Sequence, residues 1–157
     1  RATVAAGASL DWAPEPTVSV VGSRHRQRSD IRVDAGGVVR WTETLVLGRT
    51  GEQGGDLDAT LRIERDRAPM LHQQLGCGSD APGWNGVAGL GSHRVVGTCV
   101  TVGLPATGVP TRHDERTDAR GMSVALEPDV SLTQAVGPDA PSTAAIMTAL
   151  AIQAGPG

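Results

Sequence analysis

The feature that most constrains this chain is a set of short alternating runs cut apart by glycine and proline. Breaks fall at Pro14 to Pro16, Ala35 to Gly37, Gly48 to Gly55, Cys77 to Gly91, Gly103 to Pro110 and Gly137 to Pro141. Apolar and polar residues alternating over four to ten positions place successive side chains on opposite faces of a strand, so the chain reads as mainly β. The predicted strands are Thr17 to Val21, His25 to Val33, Val38 to Leu47, Ala59 to Arg65, Pro69 to Leu75, Arg94 to Val102 and Met122 to Glu127. No internal repeat of fixed period is present. With 157 residues and 39% hydrophobic composition, the length fits one domain with a core of its own.

The second and third strands read as a hairpin. If Asp34 pairs with Val38 across Ala35-Gly36-Gly37, then Val33 faces Val39, Ile31 faces Trp41, Ser29 faces Glu43 and Gln27 faces Leu45. One face then carries Ile31, Val33, Val39, Trp41, Leu45 and Leu47, and the other Arg26, Arg28, Asp30, Arg32, Arg40 and Thr42. Arg24-His25-Arg26-Gln27-Arg28 is divided between the two faces by the same alternation, which makes its arginines a solvated strand face.

Glu43 is the discordant residue of the apolar row. A carboxylate there is costly unless it is paired, hydrogen-bonded or bound to a metal. An edge-of-core acid satisfied by an arginine or by backbone amides is one account. A residue lining a polar channel or cleft is the other.

The last element runs from Ser142 to Ala154, with Ser142 or Thr143 as the cap and Gly155-Pro156 as the stop. Ile146 and Leu150, four residues apart, share a face, which suits packing on a sheet or docking of a partner.

Composition removes several chemistries. The chain has no lysine, tyrosine or phenylalanine, so a phosphate loop with its lysine and Schiff-base catalysis are both absent. Three tryptophans and a net charge of -3 give neither a stacking platform nor an attraction to phosphate, which argues against nucleic acid. Two cysteines, Cys77 and Cys99, form no C-x-x-C and suit a reduced, cytoplasmic setting. The longest apolar run, Ala144 to Ile152, is too short to span a bilayer. Arg1 in place of methionine reads as a truncated or processed start.

Among the histidines, His72 is the best ligand candidate. His72 with Cys77 and His93 with Cys99 are pairs that a sheet can bring together for a soft divalent metal, although surface or core duty is the commoner use of each. A one-residue change of register turns His72 outward. No G-x-S-x-G elbow occurs. Asp11 with Glu15, or Asp114 with Glu115, would serve a hydrolase only at the separation that glycoside chemistry sets.

The order of segments carries more. Leu10-Asp11-Trp12-Ala13-Pro14-Glu15-Pro16-Thr17 leads into a valine-rich strand, then Arg26-Gln27-Arg28, then Trp41-Thr42-Glu43, then Leu45-Val46-Leu47-Gly48-Arg49 with Gly51-Glu52 following. This closely resembles the urease accessory protein UreD (UreH) family, with its W-x-P-x-P segment, glutamine-bearing strand, L-G-R and later G-E. Leu61-Arg62-Ile63 followed by Arg67-Ala68-Pro69-Met70-Leu71 looks like the family's next hairpin. The likeness is good over Ala8 to Leu75 and thinner to Val102.

The resemblance implies a non-enzymatic scaffold with a solenoid-like stack of β-sheet and one C-terminal helix. It also implies a single domain over residues 1–157 without the N-terminal strands that family members carry ahead of W-x-P-x-P. The implied work is nickel insertion into apo-urease, with UreF as partner, the GTPase UreG recruited through UreF, and the urease apoprotein as client. No tightly bound cofactor is implied, and nickel would pass transiently. The resemblance assigns Glu43 a place in a polar route for the metal; His72, the ligand candidate read from the residues themselves, is the second candidate for that transient path. It makes Glu15, Arg49 and Glu52 candidates for partner contact, alongside structural roles for the last two. Two rivals remain at this stage: a plain β-sheet binding module without a metal role, and a β-fold hydrolase built on Glu43 and a second acid.

Overall fold

The computed structural model describes residues 1–106 and 109–153. Eleven strands and one helix follow in the order β1 (Ala2–Val4), β2 (Ser9–Trp12), β3 (Thr17–Ser19), β4 (Arg24–Val33), β5 (Val38–Leu47), β6 (Asp56–Arg65), β7 (Ala68–Cys77), β8 (Val95–Val102), β9 (Val109–Asp114), β10 (Ala119–Glu127), β11 (Val130–Gly137) and α1 (Ala140–Gln153). They form two sheets. The four-stranded sheet has the order β1-β4-β6-β7, and the seven-stranded sheet β2-β5-β8-β11-β10-β9 with β3 beside β5. Among the described residues the fold is mainly β with one helix and no closed barrel. Parallel pairings are confined to β1–β4, β4–β6, β2–β5 and β3–β5, and the others are antiparallel. These pairings do not establish a solenoid-like stack.

The expected β4–β5 hairpin is corrected. The two strands lie in different sheets: β4 runs parallel to β6 with Ile31 opposite Ile63, and β5 runs antiparallel to β8 with Trp41 opposite Val100. Asp34 to Gly37 is an arch that carries the chain from one layer to the other, with Gly36 at φ 80°. The predicted inward row nevertheless exists. Ile31, Val33, Val39, Trp41, Leu45 and Leu47 are all buried, but they meet face to face across the layers. Alternation specifies which side of a strand is apolar; it does not distinguish a neighbour in the sheet from a neighbour across the core.

The outer face of the smaller sheet is charged. Arg24 lies opposite Asp56, Arg26 opposite Asp58 and Arg32 opposite Glu64, with ion pairs of 3.3, 3.6 and 3.3 Å. Exposed pairs of this kind stabilise by about 0–1 kcal/mol each, so their main effect is to favour one parallel register.

Helix α1 packs on the outer face of the larger sheet, where Ile146 and Leu150 meet Ala119 and Ala135. Its cap is Asp139: the Ser142 amide donates to Asp139 Oδ1 at 2.7 Å, and this bond lowers the Asp139 pKa. The cap is therefore three or four residues ahead of the predicted Ser142 or Thr143, while Ala154 and the stop at Gly155-Pro156 lie outside the described residues. Close approach of the helix depends on Gly121, where an added methyl carbon would stand 2.6 Å from Ile146 Cγ2 and 2.9 Å from Gln134 O. Gly121→Ala is expected to cost about 1 kcal/mol and to lower the urea midpoint. An unchanged midpoint would show that the helix is not seated on this strand. No helix among the described residues is long and apolar enough to cross a membrane.

Candidate functional site

The core is not continuous. One apolar cluster gathers Ile31, Val33, Val39, Trp41, Leu61, Ile63, Val100 and Val102 among others, and a second gathers Leu45, Leu47, Leu57, Ala59 and Cys77 with Leu75, Trp84 and Leu90 packed against it. Between them runs a polar seam. Glu43 belongs to it, on the inner face of β5 between Trp41 and Leu45 and only 9% exposed. Its cross-strand neighbour on β8 is Thr98, also buried.

The facing sheet supplies amides. Gln27 on β4 donates its Nε2 N–H to Glu43 Oε1, and Gln27 Oε1 accepts from Thr17 Oγ1 at 3.5 Å and lies 3.4 Å from His25 Nε2. His25 is exposed, so the seam leads from Glu43 outward past Gln27. On the other side stands Gln73, on the inner face of β7 opposite Leu61. Trp41, Glu43, Leu45, Ala59, Leu61, Gln73, Leu75 and Thr98 line a small cavity between the sheets.

Among the described residues no cation pairs with Glu43. Burial therefore acts on its carboxyl with little opposition and pushes the pKa up to about 7. A carboxyl poised there exchanges its proton near neutral pH and can serve as an oxygen ligand for a passing cation.

The other predicted residues are not gathered at the seam. His72 lies on the outer face of β7, exposed, with Nε2 accepting a hydrogen bond from Arg62 Nε at 3.1 Å. Cys77 is buried on the inner face, five residues further along the same strand, so the two point to opposite sides. His93 places its ring nitrogens 2.8 Å from the carbonyl oxygens of Leu90 and Asp118, which ties the loop before β8 to the turn before β10. Burial pushes the Cys77 thiol up to about 11 and also raises that of Cys99. No group of three or more His, Cys, Asp or Glu that could hold a metal ion occurs among the described residues.

Arg49 and Glu52 sit in the loop after β5. The Glu52 carboxylate accepts from the Val21 amide at 3.1 Å and from the Arg49 amide at 3.3 Å. The loop carbonyls converge on Arg94, whose guanidinium donates to Leu47 O at 3.0 and 3.2 Å, to Arg49 O at 2.6 Å and to Glu52 O. Arg49 itself and Glu15, between β2 and β3, are exposed. Gln73, Thr98 and Arg94 are not among the residues the sequence points to, whereas Gln27 enters there as the glutamine of Arg26-Gln27-Arg28. Gln73 carries a signal, being the polar residue in the row Leu71, Gln73, Leu75 and Cys77 of alternate positions.

Among the described residues, two layers of sheet, one helix and a lone buried acid define a mainly β class, in which the lining of the interior cavity supplies one carboxylate and no second acid. The paired carboxyls of glycoside hydrolysis are therefore not assembled in this cavity among the described residues. Residues 1–155 match the family described as UreD urease accessory protein, and the chain belongs to that family. It is 39% identical over 148 residues to a urease accessory protein UreD of Parafrankia sp. (strain EAN1pec), a match that covers 82% of this chain and 48% of the relative. The corresponding protein of Frankia casuarinae is 36% identical over 151 residues, covering 87% and 47%, and that of Streptomyces avermitilis 38% over 143 residues, covering 87% and 54%. The chain thus spans about half the length of the curated relatives it matches.

Proposed function

We propose that the chain is a non-enzymatic scaffold in urease maturation. It assists nickel insertion into apo-urease in the cytoplasm, within a complex containing UreF and, through UreF, UreG. The observation that carries this reading is Glu43, an acid without a cationic partner set in a polar seam that divides the core, in a chain of the UreD family. An isolated buried carboxyl flanked by neutral amides suits transient handling of a divalent cation, since it offers oxygen ligands without closing a cage around the metal. Arg49 and Glu15 are proposed for partner contact. Glu52 is proposed to act there by holding the Arg49 loop, and His72 is left as an exposed ligand on the outer sheet.

The test is co-expression of this chain with UreF, UreG and the urease subunits, reading complex formation, nickel content of urease and urease activity. Glu43→Gln is expected to leave the complex intact and to reduce nickel content and activity together. Unchanged activation by Glu43→Gln would overturn the metal route, and failure of the wild-type chain to associate with UreF would favour a binding module unconnected with metal. Isolated, the chain is expected to bind nickel weakly or not at all in calorimetry; a tight stoichiometric site would contradict transient passage.

A further inference from the structure

Among the described residues, the seam carries one buried acceptor with no partner in the protein. Gln73 Oε1 is shielded from solvent and receives no hydrogen bond. A carbonyl oxygen in that state costs about 1–3 kcal/mol, and native interiors rarely leave one so. Gln73 lines the same cavity as Glu43 and Thr98, and that cavity has a volume of about 10 Å³. This is the room of a single water molecule, and it is lined by two to four polar groups, as buried waters require. Of the two Glu43 oxygens, Oε1 is the one that accepts the Gln27 amide.

We infer that this cavity is a binding site for one water molecule, which donates one hydrogen to Gln73 Oε1 and the other to the Glu43 carboxyl, and accepts from the Thr98 hydroxyl. Gln73 is then a positioning residue for Glu43. The acid is held from β4 by the amide of Gln27 directly and from β7 by Gln73 through the water, so that the strands on either side of β6 contribute to one carboxyl. The inference stands on the orphaned acceptor and the size of the cavity, and it is independent of any role in urease maturation.

The experiment is solution NMR on the full chain, in two parts. Cross-relaxation between long-lived water and the Thr98 and Gln73 side chains is expected in the wild type and is expected to vanish in Gln73→Leu. Removing the water takes a donor from the ionised carboxylate, so the Glu43 side-chain ¹³C titration midpoint should rise by roughly half to one pH unit in Gln73→Leu, with a smaller rise in Thr98→Val, which removes one water partner at nearly constant shape. A wild-type protein without long-lived water at these side chains would overturn the inference. So would a Gln73 amide N–H found donating straight to Glu43, or a Glu43 midpoint unmoved by Gln73→Leu.

Discussion

Between pH 8 and pH 5 the folded chain is expected to gain about 2 kcal/mol against urea through Glu43, and Glu43→Gln is expected to abolish that gain. The folded carboxyl takes its proton near pH 7, whereas the ordinary value is 4.5. Within that window the folded state holds a proton that the unfolded state has released, so stability falls as the pH rises. The contribution is whole below about 4.5, declines through the window and is gone above about 7. A shift of this size is worth about 3 kcal/mol, and we reduce it to about 2 because the side chain keeps some contact with solvent and the Gln27 amide favours the ionised form. The carboxylates lowered by their own hydrogen bonds, Asp56, Asp114, Asp118 and Asp139 among them, are ionised in both states across this range and do not disturb the reading. Subtracting the Glu43→Gln profile from the wild-type profile removes everything common to both chains. Parallel urea-midpoint profiles from pH 5 to pH 8 would show that Glu43 titrates like a solvated acid.

The second large effect concerns Arg94. Its guanidinium is the common donor for the carbonyls of Leu47, Arg49 and Glu52, and the loop between β5 and β6 closes over it. Arg94→Met keeps most of the stem and removes every donor, leaving several carbonyls short of a partner. The expected loss is about 3 kcal/mol. Arg94→Lys should recover only part of it, because an ammonium is a compact donor without the planar fork that spans separate acceptors. Glu52→Gln, which keeps one acceptor for the Val21 or Arg49 amide, should cost under about 1 kcal/mol. Urea unfolding measures all three, and hydrogen exchange at Arg49 and Glu52 should quicken selectively in Arg94→Met. A loss within about 0.5 kcal/mol for Arg94→Met would mean that water replaces the guanidinium at little cost. If Arg49 is a contact residue, Arg94→Met should also weaken partner binding while leaving the Arg49 side chain in place.

Much of this architecture was legible because burial writes itself into alternate positions. The inward row of β4 and β5 and the burial of Glu43 follow from parity, and the β6–β7 pairing from the short turn between two adjacent runs. Pairing partners were less legible, since an arch and a hairpin place the same residues on the same side. Four strands escaped notice for two reasons. β1, β2 and β9 lie at sheet edges and each pairs with a single neighbour, so two of them are short and none needs a sustained apolar row. β11 sits between β8 and β10 with the helix over one face, and its Ser131, Thr133 and Ala135 are small residues that fit beneath Ala-rich α1 without marking themselves as apolar. At the site, Glu43 stood out as a charge among hydrocarbons, whereas Gln73 and Thr98 are neutral and matter only through what they face across the gap. Arg94 could not be read at all, because its partners are backbone carbonyls about 42 to 47 positions away, and carbonyls leave no mark in a sequence.

The arch at Asp34 to Gly37 also governs when the layers can assemble during synthesis. β1 reaches only Ile31 to Val33 of β4, so the residues from Arg24 to Asp30 acquire their first described backbone partner when β6 emerges, some thirty positions later. Until then a ribosome-bound chain exposes a seven-residue ribbon edge next to half-formed hydrocarbon, and its alternating arginines keep that edge from adhering to another nascent chain.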